Sequence, residues 1–329
     1  MTRNLATFGL LLLVACIGVA QPAGGQAQLT DGLKKPYKAP EFTGIKQWLN
    51  SEPLTLRSLR GKVVLVDFWT YSCINCVRTL PYITAWDRKY RSQGLVIVGV
   101  HTPEFKFEKD IANIQTALTK YQIQYPVAVD SDWATWNAFK NESWPAHYLI
   151  DQNGNVVYTH FGEGDYAVTE NNIRALLGME SETFAAPGPS PYGGNQTPET
   201  YLGSDRAERK VASLNSALPL NHWGLTGDWK IEAERIVSGS PGAALGLRFN
   251  AKKVFLVMGS STGEPVKVAL RLNGRALLDE GGKDDHGGVL TVNGHALYEL
   301  VNQDSVKPGL LEITTRGPGI EMYAFTFGN

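Results

Sequence analysis

The sequence predicts an α/β fold in the first half of the chain and an all-β domain in the second half. From residue 62 to residue 178, short apolar segments alternate with segments whose apolar residues recur every three or four positions. Such alternation is typical of strands and helices packed as layers. From residue 197 onward, apolar residues recur at every second position, the period of a half-buried strand. A stretch rich in Pro, Gly and Ser at 180–196 separates the two patterns and indicates a linker.

The predicted α/β half begins with a strand and ends with a helix. The segment 95–100 is apolar throughout, and 63–69 is apolar except for Asp67, as expected for buried strands. Asn153-Gly154 predicts a hairpin turn, and one face of the segment 107–123 is apolar, which predicts a helix. The expected elements are strands at 62–69, 95–100, 125–129, 147–150 and 156–160, and helices that begin near residue 74 and cover 107–123, 134–139 and 167–177.

The second half predicts strands and no helix. Val266, Val268 and Leu270 alternate with other residues, and Asn273-Gly274 follows as a turn. The same pattern predicts an all-β sandwich or jelly roll. Its further strands are expected at 245–249, 253–258, 289–292, 311–315 and 322–327.

The first 20 residues have the pattern of a secretory signal peptide. Arg3 precedes a charge-free apolar run, and small or polar residues follow it. Leu13-Val14-Ala15-Cys16 resembles a lipobox, in which Cys16 would be lipid-anchored, whereas cleavage after Ala20 would release the chain. We favour cleavage because residues 17–20 are apolar, and we expect an exported protein in the periplasm or another extracytoplasmic compartment. The predicted organisation is a signal peptide at 1–20, a linker at 21–39, the α/β domain at 40–179, a linker at 180–196 and the β domain at 197–329.

The composition argues against nucleic-acid binding. The formal net charge is −1, and the basic residues are scattered along the chain. Neither a polyanion nor an acidic membrane surface would therefore be attracted. With 329 residues and 43% hydrophobic residues, two globular domains are the expectation.

The most informative motif is Cys73-Ile74-Asn75-Cys76, between the first strand and the first helix. A thiolate rather than a thiol attacks a disulfide, and a helix N-terminus favours negative charge. Cys73 is therefore predicted to be the nucleophile, and Cys76, one turn further on, to resolve the mixed disulfide. Apart from Cys16, these are the only cysteines, which predicts disulfide exchange outside the cytoplasm.

The segment from Trp69 to Pro81 resembles the thioredoxin superfamily, in its TlpA/ResA-like branch. The extracytoplasmic part of DipZ-type thiol:disulfide interchange proteins is more similar still, because it shares the Cys-Ile-Asn-Cys site and continues into a β domain. It also has segments like those at 101–105, 144–146, 161–165 and 197–203. The resemblance implies a thioredoxin fold followed by a β sandwich or jelly roll like that of carbohydrate-binding modules.

The resemblance implies that Asp67 is a buried acid that takes the proton of Cys76. An acid inside an apolar strand is also costly to bury without a purpose. Pro145 matches a cis-proline that packs beside the dithiol, and Trp144 matches a neighbour that contacts the substrate backbone.

A further acid is expected near the cysteines. Glu104 falls where ResA-like proteins have a glutamate close to the dithiol, whereas Glu108 lies one turn away and is easily confused with it. A solvated loop acid is an equal alternative for Glu104.

These residues together predict an exported thiol:disulfide oxidoreductase that acts on protein disulfides without a cofactor. Ile74-Asn75 lacks the charge or histidine that would stabilise the reduced form of a strong oxidant, so a reductant is favoured. DipZ proteins usually begin with a membrane electron-transfer module, whereas this sequence shows only a leader. A separate membrane donor of the CcdA/DsbD type is therefore expected.

Several alternatives are weaker. Zinc needs four ligands, and there is no second cysteine pair, while Sco-type copper proteins space their cysteines one residue further apart. A thiol-dependent peroxidase would match Pro103-Glu104-Phe105, but such enzymes lack a second cysteine two residues away.

The Asp284–His286 loop suggests calcium, although a flexible turn is simpler. A protein whose β domain binds a carbohydrate is the alternative of a different class, and buried core is the simpler explanation of its candidate aromatic residues, Tyr201, Trp223, Trp229 and Tyr298.

Overall fold

The computed structural model describes residues 27–180, 182, 195–214 and 218–328. The predicted signal peptide, Cys16 and most of the predicted linker at 180–196 lie outside these ranges. Within them, no helix combines the length and hydropathy needed to cross a membrane.

A seven-stranded sheet with four α-helices forms the first half of the protein. The strand order is β1-β7-β6-β3-β4-β5-β2, with β4 parallel to both β3 and β5 and the remaining pairs antiparallel. The strands are β1 Tyr37–Lys38, β2 Gln47–Leu49, β3 Val63–Trp69, β4 Leu95–His101, β5 Val127–Val129, β6 Ala146–Ile150 and β7 Asn155–Phe161. The helices are α1 Ile74–Tyr90, α2 Ile111–Lys120, α3 Ala134–Ala138 and α4 Tyr166–Leu176, with short 3-10 helices at Arg91–Gln93 and Lys106–Lys109.

In the α/β half, the main differences from the predicted elements are two. The short strands β1 and β2 were not predicted, because two or three residues carry too little pattern. The helix predicted for 107–123 begins only at Ile111, because Asp110 caps it: the Asp110 carboxylate accepts the Ala112 N–H over 2.9 Å.

Side chains of the central strand β3 alternate between two cores. Leu65 and Trp69 pack with α1, α2 and α4, whereas Val66 and Phe68 pack with α3 on the other face of the sheet. Asp67 is two residues from both Leu65 and Trp69, so its side chain lies on the same face of the sheet as theirs. The acid therefore lies on the face that α1 covers.

The second half is built from β-strands that all pair antiparallel. The main order is β10-β11-β17-β12-β16-β13-β14, with β8, β9 and β15 paired to β17, β12 and β13. This confirms a thioredoxin-like α/β fold followed by a mostly β domain. The strands are β8 Thr200–Tyr201, β9 Trp223–Thr226, β10 Trp229–Ile231, β11 Ile236–Ser238, β12 Ala244–Ser260, β13 Val266–Leu272, β14 Arg275–Ala276, β15 Val289–Val292, β16 Ala296–Thr315 and β17 Ile320–Gly328.

The two strands predicted at 245–249 and 253–258 form one strand, β12. The pattern suggested a break because the polar stretch Asn250–Lys253 interrupts the alternation. The structure bridges this stretch with a register shift against β16 between Ala251 and Lys253. A bulge of this kind bends a strand without ending it.

The β domain packs on the segment that follows β4, which we call the 102–110 segment. Phe105 is buried against Val257, Tyr323 and Ala324 of the β domain, with a ring separation of 5.1 Å from Tyr323. Phe107 stacks on His295 at 4.8 Å. The two halves therefore share an apolar interface close to the start of α1.

Candidate active site

The dithiol lies between β3 and α1. β3 ends at Trp69, and Cys73 is the N-cap residue of α1. Both cysteines are free, and Cys73 is partly exposed whereas Cys76 is fully buried. The backbone N–H of Cys76 donates to Cys73 Sγ over 3.4 Å. One thiol can thus meet a partner at a helix N-terminus, while the other is shielded behind it.

Burial raises the pKa of the Cys76 thiol well above its ordinary value. Cys73 adds to the increase, and the negative charge of Asp67 acts in the same direction. Both effects disfavour the thiolate. The Cys76 thiol therefore needs a base to ionise near neutral pH.

Asp67 is a fully buried acid beside this thiol. His147 Nε2 lies 3.2 Å from Asp67 Oδ1, and within the described chain neither carboxylate oxygen has an assigned hydrogen bond. Gly99 on the neighbouring strand pairs with Asp67. A Cβ at position 99 would lie 3.0 Å from both the Trp69 indole nitrogen and the Tyr125 ring, so the space beside Asp67 is closely filled. An unpaired acid beside a buried thiol is suited to accept its proton.

Pro145 lies beside the turn that carries the dithiol. The Trp144–Pro145 peptide bond is cis, as predicted. Ala146 pairs with Phe68, so Pro145 is level with Trp69 at the end of β3. Trp144 is half-buried, and its indole N–H donates to the Thr102 carbonyl over 3.0 Å.

Glu104 is turned toward the β domain. Its Oε1 accepts hydrogen bonds from Tyr201 and from Arg206, each at 2.8 Å. The Arg206 guanidinium also lies 3.4 Å from the centre of the Tyr201 ring. The structure thus places this acid in the contact between the two halves.

Glu108 is the acid that approaches the dithiol turn. It is fully buried, and its Oε1 accepts the Ser72 hydroxyl over 2.5 Å, directly before Cys73. Its Oε2 accepts the backbone N–H groups of Glu104 and Phe105 at 2.5 and 3.0 Å. Burial, with a smaller contribution from Glu104, raises the pKa of Glu108 to about 7.

A buried histidine completes the polar groups behind the turn. Burial lowers the pKa of His101 to about 3, so its ring is neutral. His101 Nε2 lies 3.3 Å from Thr70 Oγ1, and its ring stacks on Tyr71 at 5.6 Å. Burial also raises the pKa of Tyr71. These groups are uncharged at neutral pH.

Sequence reasoning missed Ser72 and the histidines of β6 and β7, His147 and His160. A histidine within the predicted strands 147–150 and 156–160 is the available signal, but only the strand register shows that these side chains line up with Asp67.

Most candidate carbohydrate- and calcium-binding side chains of the β domain pack in its core or accept backbone hydrogen bonds. Trp223 is fully buried, and Trp229 and Tyr298 pack against the same core. Asp285 accepts the Gly288 N–H and Asp284 accepts the Glu299 N–H. In the described ranges, no group of three or more His, Cys, Asp or Glu side chains is arranged to hold a metal ion.

Fold and site together define a thioredoxin-fold protein with a vicinal dithiol at the N-terminus of a helix. Residues 34–177 match a family model described as Redoxin, and residues 197–328 match one described as Thioredoxin like C-terminal domain. Both matches agree with the boundaries of the two sheets.

Comparison with known proteins identifies the family. Protein DipZ of Mycobacterium bovis is 35% identical over 312 residues, which cover 88% of this chain and 43% of DipZ. Thiol-disulfide oxidoreductase YkuV of Bacillus subtilis is 33% identical over 145 residues, which cover 44% of this chain and 96% of YkuV. A solved structure of a thiol:disulfide interchange protein DsbE from Chlorobium tepidum is 27% identical, with a TM-score of 0.39, and aligns with 46% of this chain and 100% of that one.

The chain belongs to the TlpA/ResA-like family of thiol-disulfide oxidoreductases. It spans less than half the length of DipZ.

Proposed function

We propose that this protein is an exported thiol:disulfide oxidoreductase that reduces disulfides of partner proteins through Cys73 and Cys76. The observation that carries the proposal is the contrast within the dithiol, in which Cys73 is partly exposed at the N-cap of α1 and Cys76 is fully buried. This contrast suits a nucleophile followed by a resolving thiol.

In the first step, the Cys73 thiolate attacks one sulfur of the partner's disulfide. A Cys73–partner bond forms, and the partner's other sulfur leaves as a thiolate. The unpaired N–H groups of the first turn of α1 favour the negative charge on Cys73. Pro145 and Trp144, level with the end of β3, are proposed to align the partner backbone beside the dithiol.

In the second step, Asp67 takes the proton of Cys76, and the resulting thiolate attacks Cys73. The Cys73–Cys76 bond forms, and the partner's second sulfur leaves. Two electrons pass from the dithiol to the partner, which is reduced. Burial of Cys76 supports the need for Asp67, because the pKa of this thiol is raised.

Trapping tests the assignment of the two cysteines. The Cys76→Ser variant, mixed with a disulfide-containing protein such as insulin, should accumulate a mixed disulfide visible on a non-reducing gel. Cys73→Ser should form none, and the double variant is the background control. If Cys73→Ser traps the partner and Cys76→Ser does not, the roles are reversed.

The direction of electron flow is tested by the reduction potential of the couple. A value near about −270 mV supports a reductant, whereas one near about −120 mV would show an oxidant. Equilibration with glutathione or dithiothreitol, followed by alkylation and mass measurement, gives this value.

Export and electron supply rest on the sequence pattern and the resemblance. The apolar run before residue 20 supports export, and the resemblance supports a membrane donor of the CcdA/DsbD type. N-terminal analysis of the chain from cell fractions tests export. A start after Ala20 indicates cleavage, a lipidated Cys16 indicates an anchor, and a cytoplasmic chain that retains residues 1–20 contradicts export.

The buried Trp223 and the Tyr201 ring covered by Arg206 give no support to a carbohydrate ligand.

A further inference from the structure

Three ionisable side chains form a row across neighbouring strands behind the dithiol. Asp67 in β3 pairs directly with His147 in β6, and His147 pairs directly with His160 in β7. Directly paired residues project from the same face of a sheet, with Cβ atoms about 5 Å apart. The row therefore leads from the acid beside Cys76 across the face that α1 covers, toward the edge of the sheet.

The row passes from the core to the surface. His147 Nε2 lies 3.2 Å from Asp67 Oδ1, and the rings of His147 and His160 are nearly parallel with centres 6.0 Å apart. His160 Nδ1 lies 3.6 Å from Asp165 Oδ2. The exposed fractions of the side chains rise from 0% for Asp67 and 1% for His147 to 14% for His160 and 60% for Asp165.

The carboxylate oxygens and ring nitrogens that face one another along the row take no part in the hydrogen bonds of the fold. Within the described part of the chain, no hydrogen bond reaches either carboxylate oxygen of Asp67, either ring nitrogen of His147, or Nε2 of His160. Buried polar atoms are nearly always paired, so an unpaired series calls for a functional explanation.

We propose that His147 and His160 relay to solvent the proton that Asp67 takes from Cys76. The inference rests on the proposed function, because it concerns the second step of disulfide exchange. His147 receives the proton on Nε2 and releases one from Nδ1, which passes through a water molecule to His160 Nε2. His160 then releases a proton from Nδ1 to Asp165 or to water. Asp67 returns to the carboxylate, and no electrons move along the row.

The charges around the row are compatible with this path. Burial, with His147 as the next contribution, lowers the pKa of His160, while Asp165 opposes this effect. His160 is therefore neutral near pH 7 and able to take up and release a proton. At the inner end, Asp67 interacts with Cys76 and Tyr125 as well as with His147.

Stopped-flow reaction of the reduced protein with 5,5′-dithiobis(2-nitrobenzoate) separates the two steps. Attack by Cys73 releases the first nitrothiobenzoate, and attack by Cys76 on the mixed disulfide releases the second. In His147→Gln and His160→Gln, a proton that cannot leave Asp67 returns to Cys76 before the thiolate attacks. We therefore expect the second release near pH 7 to slow by at least about tenfold, within the range of about 10²–10⁴ that proton transfer contributes to rates. The first release should stay within twofold. Added imidazole should restore the second release in His160→Ala, whose site is near the surface.

Tyr158→Phe is the matched control. It removes a buried hydrogen bond to Thr169 on the same face of β7, so it perturbs the fold similarly without touching the row, and its second release should be unchanged. An unaffected second release in folded His160→Gln overturns the relay, whatever His147→Gln does. A slowed release that imidazole cannot restore also overturns it. If the wild-type protein never gives a second release, the proposed function itself fails.

Discussion

The two cysteines are one helical turn apart, but different parts of the molecule surround them. Behind Cys73, the Ser72 hydroxyl donates a hydrogen bond to Glu108 of the 102–110 segment. That segment packs on the β domain through Phe105. Behind Cys76, the polar groups belong to the α/β sheet alone, as Asp67 and its cross-strand partner His147.

Under the proposed roles, this difference separates attack on the partner by Cys73 from proton transfer at Cys76. The Cys73 side contacts the surface and the second domain, so changes in the β domain can reach it through the 102–110 segment. The Cys76 side is fixed by the strand register of the sheet, which holds Asp67 next to the buried thiol. Variants on one side should therefore leave the other side unchanged.

Removal of the Phe105 ring should give the largest loss of stability. Phe105→Ala empties a site that is 4% exposed between the two halves, and such a change costs about 3–5 kcal/mol. Hydrogen exchange should accelerate most at the amides of Glu104 and Phe105 and least in β3 and β6. Phe161→Ala, at a site that is 55% exposed, is the control. A uniform acceleration throughout the sheet would contradict a separate Cys73 side.

Asp67→Asn should have the largest effect on the Cys76 side. Loss of the proposed proton acceptor should slow the second nitrothiobenzoate release by about 10²–10³-fold, while the first release is retained. Stability should not fall, because the amide is similar in shape and avoids burial of a charge. Stopped-flow kinetics and urea unfolding of the same samples measure both quantities. Equal slowing of both releases would refute the assignment of Asp67 to Cys76.

Glu108 should make the stability of the Cys73 side depend on pH. Its pKa of about 7 in the folded protein lies above the ordinary value of 4.5, so the folded state keeps a proton that the unfolded chain loses. The stabilisation is present below about pH 4.5 and is lost as the pH rises through 7, by up to about 3 kcal/mol. Glu108→Gln should flatten this decline, measured by urea unfolding between pH 4 and 8.

An exposed acid provides the control for that measurement. Glu41→Gln, on the surface, should leave the pH dependence as it is in the wild type. A decline of wild-type size in Glu108→Gln would show that another group causes it.

The sequence was informative wherever function depends on local order along the chain. The strand before Cys73 and the helix after it are visible as periodicity, and Cys73, Cys76 and Asp67 lie within ten residues of one another. The cis Trp144–Pro145 bond also followed from the resemblance, because a recognisable segment surrounds it.

What the sequence could not give depends on contacts between distant segments. His147 and His160 are ordinary strand residues until the register of β6 and β7 aligns them with Asp67. The choice between Glu104 and Glu108 depends on the direction of two side chains one turn apart. Glu104 accepts hydrogen bonds from Tyr201 and Arg206 of the β domain, and no local pattern encodes that contact.

The pair of Glu104 and Arg206 should have the smallest effect. The Arg206 side chain is 49% exposed, so solvent screens the pair, and a double-mutant cycle of Glu104→Gln with Arg206→Gln should give a coupling of about 0.5 kcal/mol that shrinks in salt. Both nitrothiobenzoate releases should be unchanged in Glu104→Gln, because its carboxylate bonds to the β domain and not to the dithiol turn. If the first release slows tenfold or more, Glu104 acts on the dithiol, near which the resemblance places a glutamate, and the acid beside Ser72 is not the one that matters.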